Sequence, residues 1–302
     1  MILLLLLVFL VGVSMPVQTA VNSRLQNYLG TPLSASFVSF CVGTLLVWLV
    51  TLLWLPPTPP DYGAVPLFAW TGGITGMVCV TLFILLFPRL GGVQTVLLPI
   101  LGQIMTSMLI DTFGWMGMEA KPLSTGRIIG CLIAIAGVSL AVIRKDTEKK
   151  SGGGSLLLWQ IIGILNGALI SIQSAANGTL GALIQSPALA SAFSFTVSTI
   201  LLCFLVLPSS KERAALKRIF TVKRPWWTWT GGAIGVLIVV GFAVSAPILG
   251  VGLMTVVSIL GQLVFSAAID QAGLFGAAKR PLTFQKVSGI LLVLAGSLLI
   301  YL

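Results

Sequence analysis

Ten apolar runs, each about as long as the core of a lipid bilayer is thick, follow one another along this chain with little between them. They cover approximately residues 2–22, 34–54, 67–87, 92–111, 127–143, 156–178, 188–207, 229–246, 250–270 and 286–302. An α-helix of ~20 residues crosses a hydrocarbon core of ~30 Å, so each run has the length of one span. Inside lipid every backbone N–H and C=O must be paired within the segment, which leaves the helix as the conformation for such a run. The pattern predicts an all-α membrane protein of ten transmembrane helices. Nothing remains for a soluble domain, because 57% of the 302 residues are hydrophobic and 8% are charged. Met1 to Val13 has the apolar character of a signal-peptide core. No Lys or Arg precedes it and no small-residue cleavage site follows, so it reads as a retained first helix.

Turn chemistry separates the runs at Thr31-Pro32, Pro56 to Pro60, Pro88 with Gly91-Gly92, Lys121-Pro122, Ser186-Pro187 and Arg280-Pro281. The one polar, glycine-rich linker is Arg144 to Ser155, and it divides two copies of a single pattern. A shift of 155 residues lays Gln18, Asn22, Leu25, Pro32, Ala35, Ser36, Ser39 and Phe40 on Gln173, Asn177, Leu180, Pro187, Ala190, Ser191, Ser194 and Phe195. A shift of 159 lays Trp70, Gly72, Gly73, Gly76, Pro88, Leu90 and Gly91 on Trp229, Gly231, Gly232, Gly235, Pro247, Leu249 and Gly250. The same shift continues through Gly102, Gln103, Asp111, Gly114, Pro122, Gly130 and Gly137. Residues 1–143 are thus a first five-helix repeat, 144–155 a cytoplasmic linker and 156–302 a second repeat.

An odd number of helices per repeat forces the second copy to enter the membrane from the opposite side. The charges agree: fifteen of the seventeen Lys and Arg residues fall on one face, and only Lys121 and Arg127 on the other. The cation-rich face is cytoplasmic by the positive-inside rule, which places both termini outside a bacterial inner (plasma) membrane. The loop from Leu55 to Pro66 carries only Asp61, whereas its counterpart around Lys211 to Arg224 carries six cations. The net charge of +10 therefore reports topology and does not suggest nucleic acid.

Few residues can carry chemistry. Ser14, Gln18 and Asn22 form a polar stripe at helical spacing, and Asn166, Gln173 and Asn177 form another. An unpaired amide costs roughly 4–8 kcal/mol on transfer to alkane, so these groups must face other helices or a cavity. Gln103 and Gln262 add matching amides near mid-membrane. Substrate contact and interhelical hydrogen bonding both fit these six candidates, Gln18, Asn22, Gln103, Gln173, Asn177 and Gln262. Asp111 and Asp270 close their spans, as interfacial anchors or as coupling sites. Glycines seven apart, Gly130 with Gly137 and Gly289 with Gly296, predict a packing seam between halves or between subunits. Pro16 and Pro99 lack counterparts and predict inequivalent halves, while Trp70 and Trp229 read as interface anchors. Cys41, Cys79, Cys131 and Cys203 lie apart within apolar runs, so they read as small core residues with no disulfide framework or zinc site. With no histidine, no paired membrane carboxylate and no nucleotide loop, the chain reads as neither an enzyme nor a cofactor or metal protein.

The run Gln18-Thr-Ala-Val-Asn22, its repeat Gln173-Ser-Ala-Ala-Asn177, the Leu-Gly-Gln runs at Gln103 and Gln262, and the paired terminal glycine helices carry a resemblance across the whole chain. It resembles the drug/metabolite transporter superfamily and, within it, the YdcZ-like family of unknown function, in a fused two-repeat form. The glycine helices also resemble the dimerising helix of small multidrug resistance proteins. Those proteins have a glutamate in helix 1 where this chain has Gln18 and Gln173, so their proton coupling does not carry over. The resemblance implies a secondary transporter, an exporter working by alternating access around a central cavity. With no Lys or Arg expected inside any span, a small neutral or weakly cationic organic solute fits best. A membrane scaffold and a passive channel are the alternatives. The partners expected are this solute and membrane lipid, and the chain is expected to act as a monomer, with a homodimer as the other option.

Overall fold

The computed structural model describes residues 1–53, 61–142, 153–276, 279 and 282–300. The prolines 56–60, Arg280-Pro281 and the four linker cations from Arg144 to Lys150 lie outside the described residues. Among the described residues ten α-helices follow in order: α1 Ile2–Leu29, α2 Pro32–Leu53, α3 Gly72–Phe113, α4 Thr125–Val142, α5 Gly153–Leu183, α6 Pro187–Val206, α7 Ser210–Thr221, α8 Gly231–Leu249, α9 Val251–Ala272 and α10 Phe284–Leu299. Among the described residues there is no strand. Because α5 begins at Gly153, the linker is shorter than the sequence suggests. Among the described residues eight helical segments are long and apolar enough to cross a membrane, one of them running from Leu67 into α3 and a second lying within α3 from Gln94; α4 and α10 are shorter apolar helices. Leu45, Leu49 and Phe204 stand exposed on the outside, Phe204 at 73%. Lipid is the solvent in which such a surface is stable. The chain is an integral membrane protein.

The sequence predicts a break between two spans at Pro88 and Gly91-Gly92, yet α3 is one helix of 42 residues. Its neighbours show that it doubles back. Gly72 lies against Asn177 of α5, Cys79 against Asn166, and Arg89 over the Trp159 ring at 4.1 Å. The order then reverses, with Gly102 against Ile164 and Ala168 and, beyond it, Met116 accepting from the Thr179 hydroxyl. Two arms thus descend and return along α5, joined by a helical corner where Pro88 has removed a ladder hydrogen bond. The second repeat solves the same corner differently. Gly250, at φ 77° and ψ 154°, breaks the chain into α8 and α9, a conformation that glycine adopts without a Cβ clash.

Contacts between the repeats obey a two-fold rule. Gly12 meets Ser258 and Gly261 meets Phe9 and Val13; the equivalent contacts are Gly167 with Pro99, and Gly102 with Ile164 and Ala168. Along α4 and α10, Gly130 faces Gly296 and Gly137 faces Gly289, so these helices run antiparallel. A Cβ on any of these four would stand within 2.7 Å of a backbone oxygen across the seam. The glycine seam therefore joins the two halves of one chain. Equivalent residues also meet each other directly: the Phe40 and Phe195 rings at 5.4 Å, the Thr44 and Thr199 hydroxyls at 2.8 Å, and the Gln103 and Gln262 amides at 3.5 Å. Such self-equivalent pairs lie on the axis that relates two copies.

Candidate functional site

Around that axis the core opens into a cavity of about 60 Å³, room for a few waters. Its wall draws on both repeats in pairs: Gln18 with Gln173, Ser39 with Ser194, Phe40 with Phe195, and Phe83 with Phe242. No side chain in the lining is charged. Each amide is set by the opening turn of a helix from the other repeat. Gln18 Nε2 donates to the Gly231 carbonyl at 3.2 Å, and the Gln173 amide lies across Gly76. Gly72 and Gly231 have no side chain because Asn177 and Asn22 fill that space. Asn177 Oδ1 accepts from the Ser194 hydroxyl, and Ser198 donates to the Gly73 carbonyl at 2.6 Å.

Of the six amides singled out in the sequence, Gln18, Gln173 and Asn177 line this cavity. Asn22, 1% exposed, packs on Gly231 outside the lining. Gln103 and Gln262 are also buried outside it, their amides 3.5 Å apart on the axis. Ser14 bonds its own helix at the Leu10 carbonyl, and Asn166 donates to the Cys79 carbonyl at 3.4 Å. Asp111 and Asp270, each 1% exposed, are not in the cavity wall. The Asp111 carboxylate stands 3.7 Å from the Arg127 guanidinium and accepts from the Gly252 N–H at the first turn of α9 at 3.1 Å. A carboxylate suits that place because a helix N-terminus presents unpaired N–H groups and a positive dipole end. Arg127, 6% exposed in the first turn of α4, corrects the expectation that no cation is buried in a span. Asp111 and the Lys121 and Pro122 carbonyls make that burial tolerable. Trp70 packs edge-on against Phe193, and Trp229 lies under the Arg224 guanidinium at 4.3 Å.

The lining also includes residues not proposed as site residues from the sequence. Ser39, Phe40, Ser194 and Phe195 carried a signal, since they are identical at equivalent positions of the two copies. Met15 and Ile170 carried none, because an apolar residue in an apolar helix has no mark of its own.

The cavity departs from the two-fold symmetry. Ser174, Asn177 and Ser198 line it, whereas their counterparts Thr19, Asn22 and Gly43 do not, so it leans toward the face that holds Lys121. On that face lies a second cavity of about 490 Å³, bounded by Phe68, Met118, Lys121, Thr179, Leu183 and Ala246 among others. Gly178, packed on Ala246 and Pro247, sits between Asn177 of the first wall and Thr179 of the second. At the equivalent places of the cation-rich face the side chains are larger. Ser23 replaces Gly178, Arg24 replaces Thr179, Tyr28 replaces Leu183, Phe87 replaces Ala246 and Trp227 replaces Phe68. There Arg24 stacks over Tyr28 at 5.2 Å and lies against Gly276, while Trp227 meets Phe275 edge-on at 5.8 Å.

No curated protein matches this chain. A solved structure described only as "Crystal structure of protein" is similar in fold, with a TM-score of 0.61 and 13% identity over 97% of this chain and 96% of that one. One family matches twice, over residues 3–140 and 158–299, under the description "Putative inner membrane exporter, YdcZ". Those two stretches coincide with the two repeats whose residues build the cavity, and the chain belongs to the YdcZ family of inner-membrane exporters.

Proposed function

We propose that this protein is a secondary transporter that exports a small neutral or weakly cationic organic solute by alternating access. Ten spans cross the membrane, five in each repeat, with α3 supplying two of them and α7 none. The repeats lie in opposite orientations, with both termini outside and the cation-rich face in the cytoplasm. The antiparallel pairing of the equivalent helices α4 and α10 supports this arrangement, as does the bias of charge.

The observation that carries the reading is the uncharged cavity built from equivalent residues of both repeats. In an inverted-repeat transporter the substrate sits where the repeats meet. Two glutamines and several serines offer donors and acceptors, and four phenylalanines offer ring faces, which also attract a cation. An anion would find no counter-charge in the wall. The uneven mouths correspond to one end of the cycle, with the cytoplasmic mouth closed by Arg24, Tyr28, Trp227 and Phe275 and the outer mouth thinned to Gly178 and Ala246. Gln103 and Gln262 brace the axis. Asp111 and Asp270 serve as anchors at span ends, with the Asp111 contact to α9 supporting that role. A scaffold held by its glycine seams would need no such cavity, and a passive channel would show no counterflow.

The test is flux of a panel of neutral and weakly basic solutes in proteoliposomes, with and without a proton gradient. Gln18→Leu and Gln173→Leu should each abolish flux and counterflow of whichever solute is carried, while the protein stays folded in the membrane. Unchanged flux in both variants would sink the assignment.

A further inference from the structure

A groove of about 500 Å³ runs between α2 and α7, away from the central cavity. Its floor is Phe37, Val38, Cys41 and Val42, two adjacent stripes of α2 at helical spacing. Its other wall is the side of α7 that presents Arg213, Lys217 and Phe220, closed at one end by Trp229. The helix α7 has two separate faces. Glu212 and Ala215 are buried on the inner face, Leu216 and Ile219 are half-buried and line the groove beside it, and Glu212 accepts hydrogen bonds from the Thr31 and Ser34 hydroxyls at the start of α2. The one acid of this segment is thus buried and neutralises nothing at the groove, while Lys211, Arg213, Lys217, Arg218, Lys223 and Arg224 are six cations within fourteen residues. Arg213 donates to the Leu207 and Pro208 carbonyls, which bring no opposing charge, and Lys217 is exposed. Phe220 is 90% exposed and Trp226 78%, side chains suited to a helix lying at a membrane surface.

An apolar trough beside unneutralised cations matches one molecule with a hydrocarbon tail and a negative head. We infer that this groove binds an anionic phospholipid, with an acyl chain against Phe37 and Cys41 and the phosphate beside Lys217 and Arg213. The site has no symmetric copy: its floor comes from the first repeat and its cations from the second, and the equivalent loop of the first repeat carries no cation and only Asp61. Under the proposed orientation the lipid comes from the cytoplasmic leaflet; its binding does not depend on that orientation or on transport. Bound there, the lipid ties α7, and through Glu212 the start of α2, to the membrane surface.

The experiment is native mass spectrometry of the full chain released from nanodiscs that hold equal amounts of phosphatidylglycerol and phosphatidylcholine with the same acyl chains. The wild-type chain should retain one phosphatidylglycerol in preference to phosphatidylcholine. Lys217→Glu, an exposed substitution, should lower that preference about thirtyfold, as expected for a change of two charge units near a membrane surface. Cys41→Trp fills the floor and should reduce retention while the protein elutes as a folded monodisperse species. Equal retention of the two lipids by the wild-type chain would overturn the proposal. So would a preference that survives both substitutions, since that would mark a diffuse attraction without a groove.

Discussion

Gly178 and Ser23 occupy equivalent positions in the two repeats, and the difference between them is a hydroxymethyl group. A Cβ on Gly178 would meet the Ala246 Cβ at 3.0 Å and the Pro247 Cδ at 3.3 Å, and neither neighbour can move without its helix. A longer side chain would stand in the partition between the central cavity and the Lys121 face. Gly178→Leu is therefore expected to bring solute flux to background while the protein stays in the membrane; wild-type flux would show that the path lies elsewhere. At this scale the sequence was informative where polarity stood out against an apolar background. Gln18, Gln173 and Asn177 were visible for that reason and do line the cavity. Gln103 and Gln262 were just as visible, yet they lie away from it, because a buried amide is stable equally well against another amide.

Among the elements, α4 and α10 meet along a seam of four glycines in close backbone contact. Both are short apolar helices, and association between helices in lipid rests on packing contacts because lipid tails supply little hydrophobic driving force. Gly137→Leu puts a large side chain where even a Cβ would lie 2.7 Å from the Gly289 oxygen. The seam must open, and stability is expected to fall by about 1–3 kcal/mol or more, as overpacking costs in a close-packed core. Thermal unfolding in detergent measures this, and an unchanged midpoint would mean that the seam contributes nothing. The glycine spacing in the sequence predicted a seam without a partner, because spacing describes one helix surface and not what covers it. The corner inside α3 was misread for a related reason. Proline and glycines weaken a helix there, but packing of both arms along α5 holds it helical through the bend.

For the whole molecule, orientation is the strongest expectation to test. A reporter active only outside the cytoplasm, such as alkaline phosphatase, should be active when fused after either terminus and inactive when inserted between Lys145 and Lys150. Activity at the linker and silence at the termini would reverse the orientation and with it the direction assigned to the two mouths. The all-helical membrane class, internal repetition and charge bias were all legible from the amino-acid order, because hydropathy and loop charge act locally and leave a periodic trace. The closing of the glycine seam within one chain, the sorting of the six amides into those that line the cavity and those packed outside it, and the bulk of Ser23 and Phe87 at one end of the cavity against Gly178 and Ala246 at the other came from the fold. These depend on which side chains meet across helices far apart in the chain, and small differences in volume between equivalent positions become a cavity only when packed against a partner.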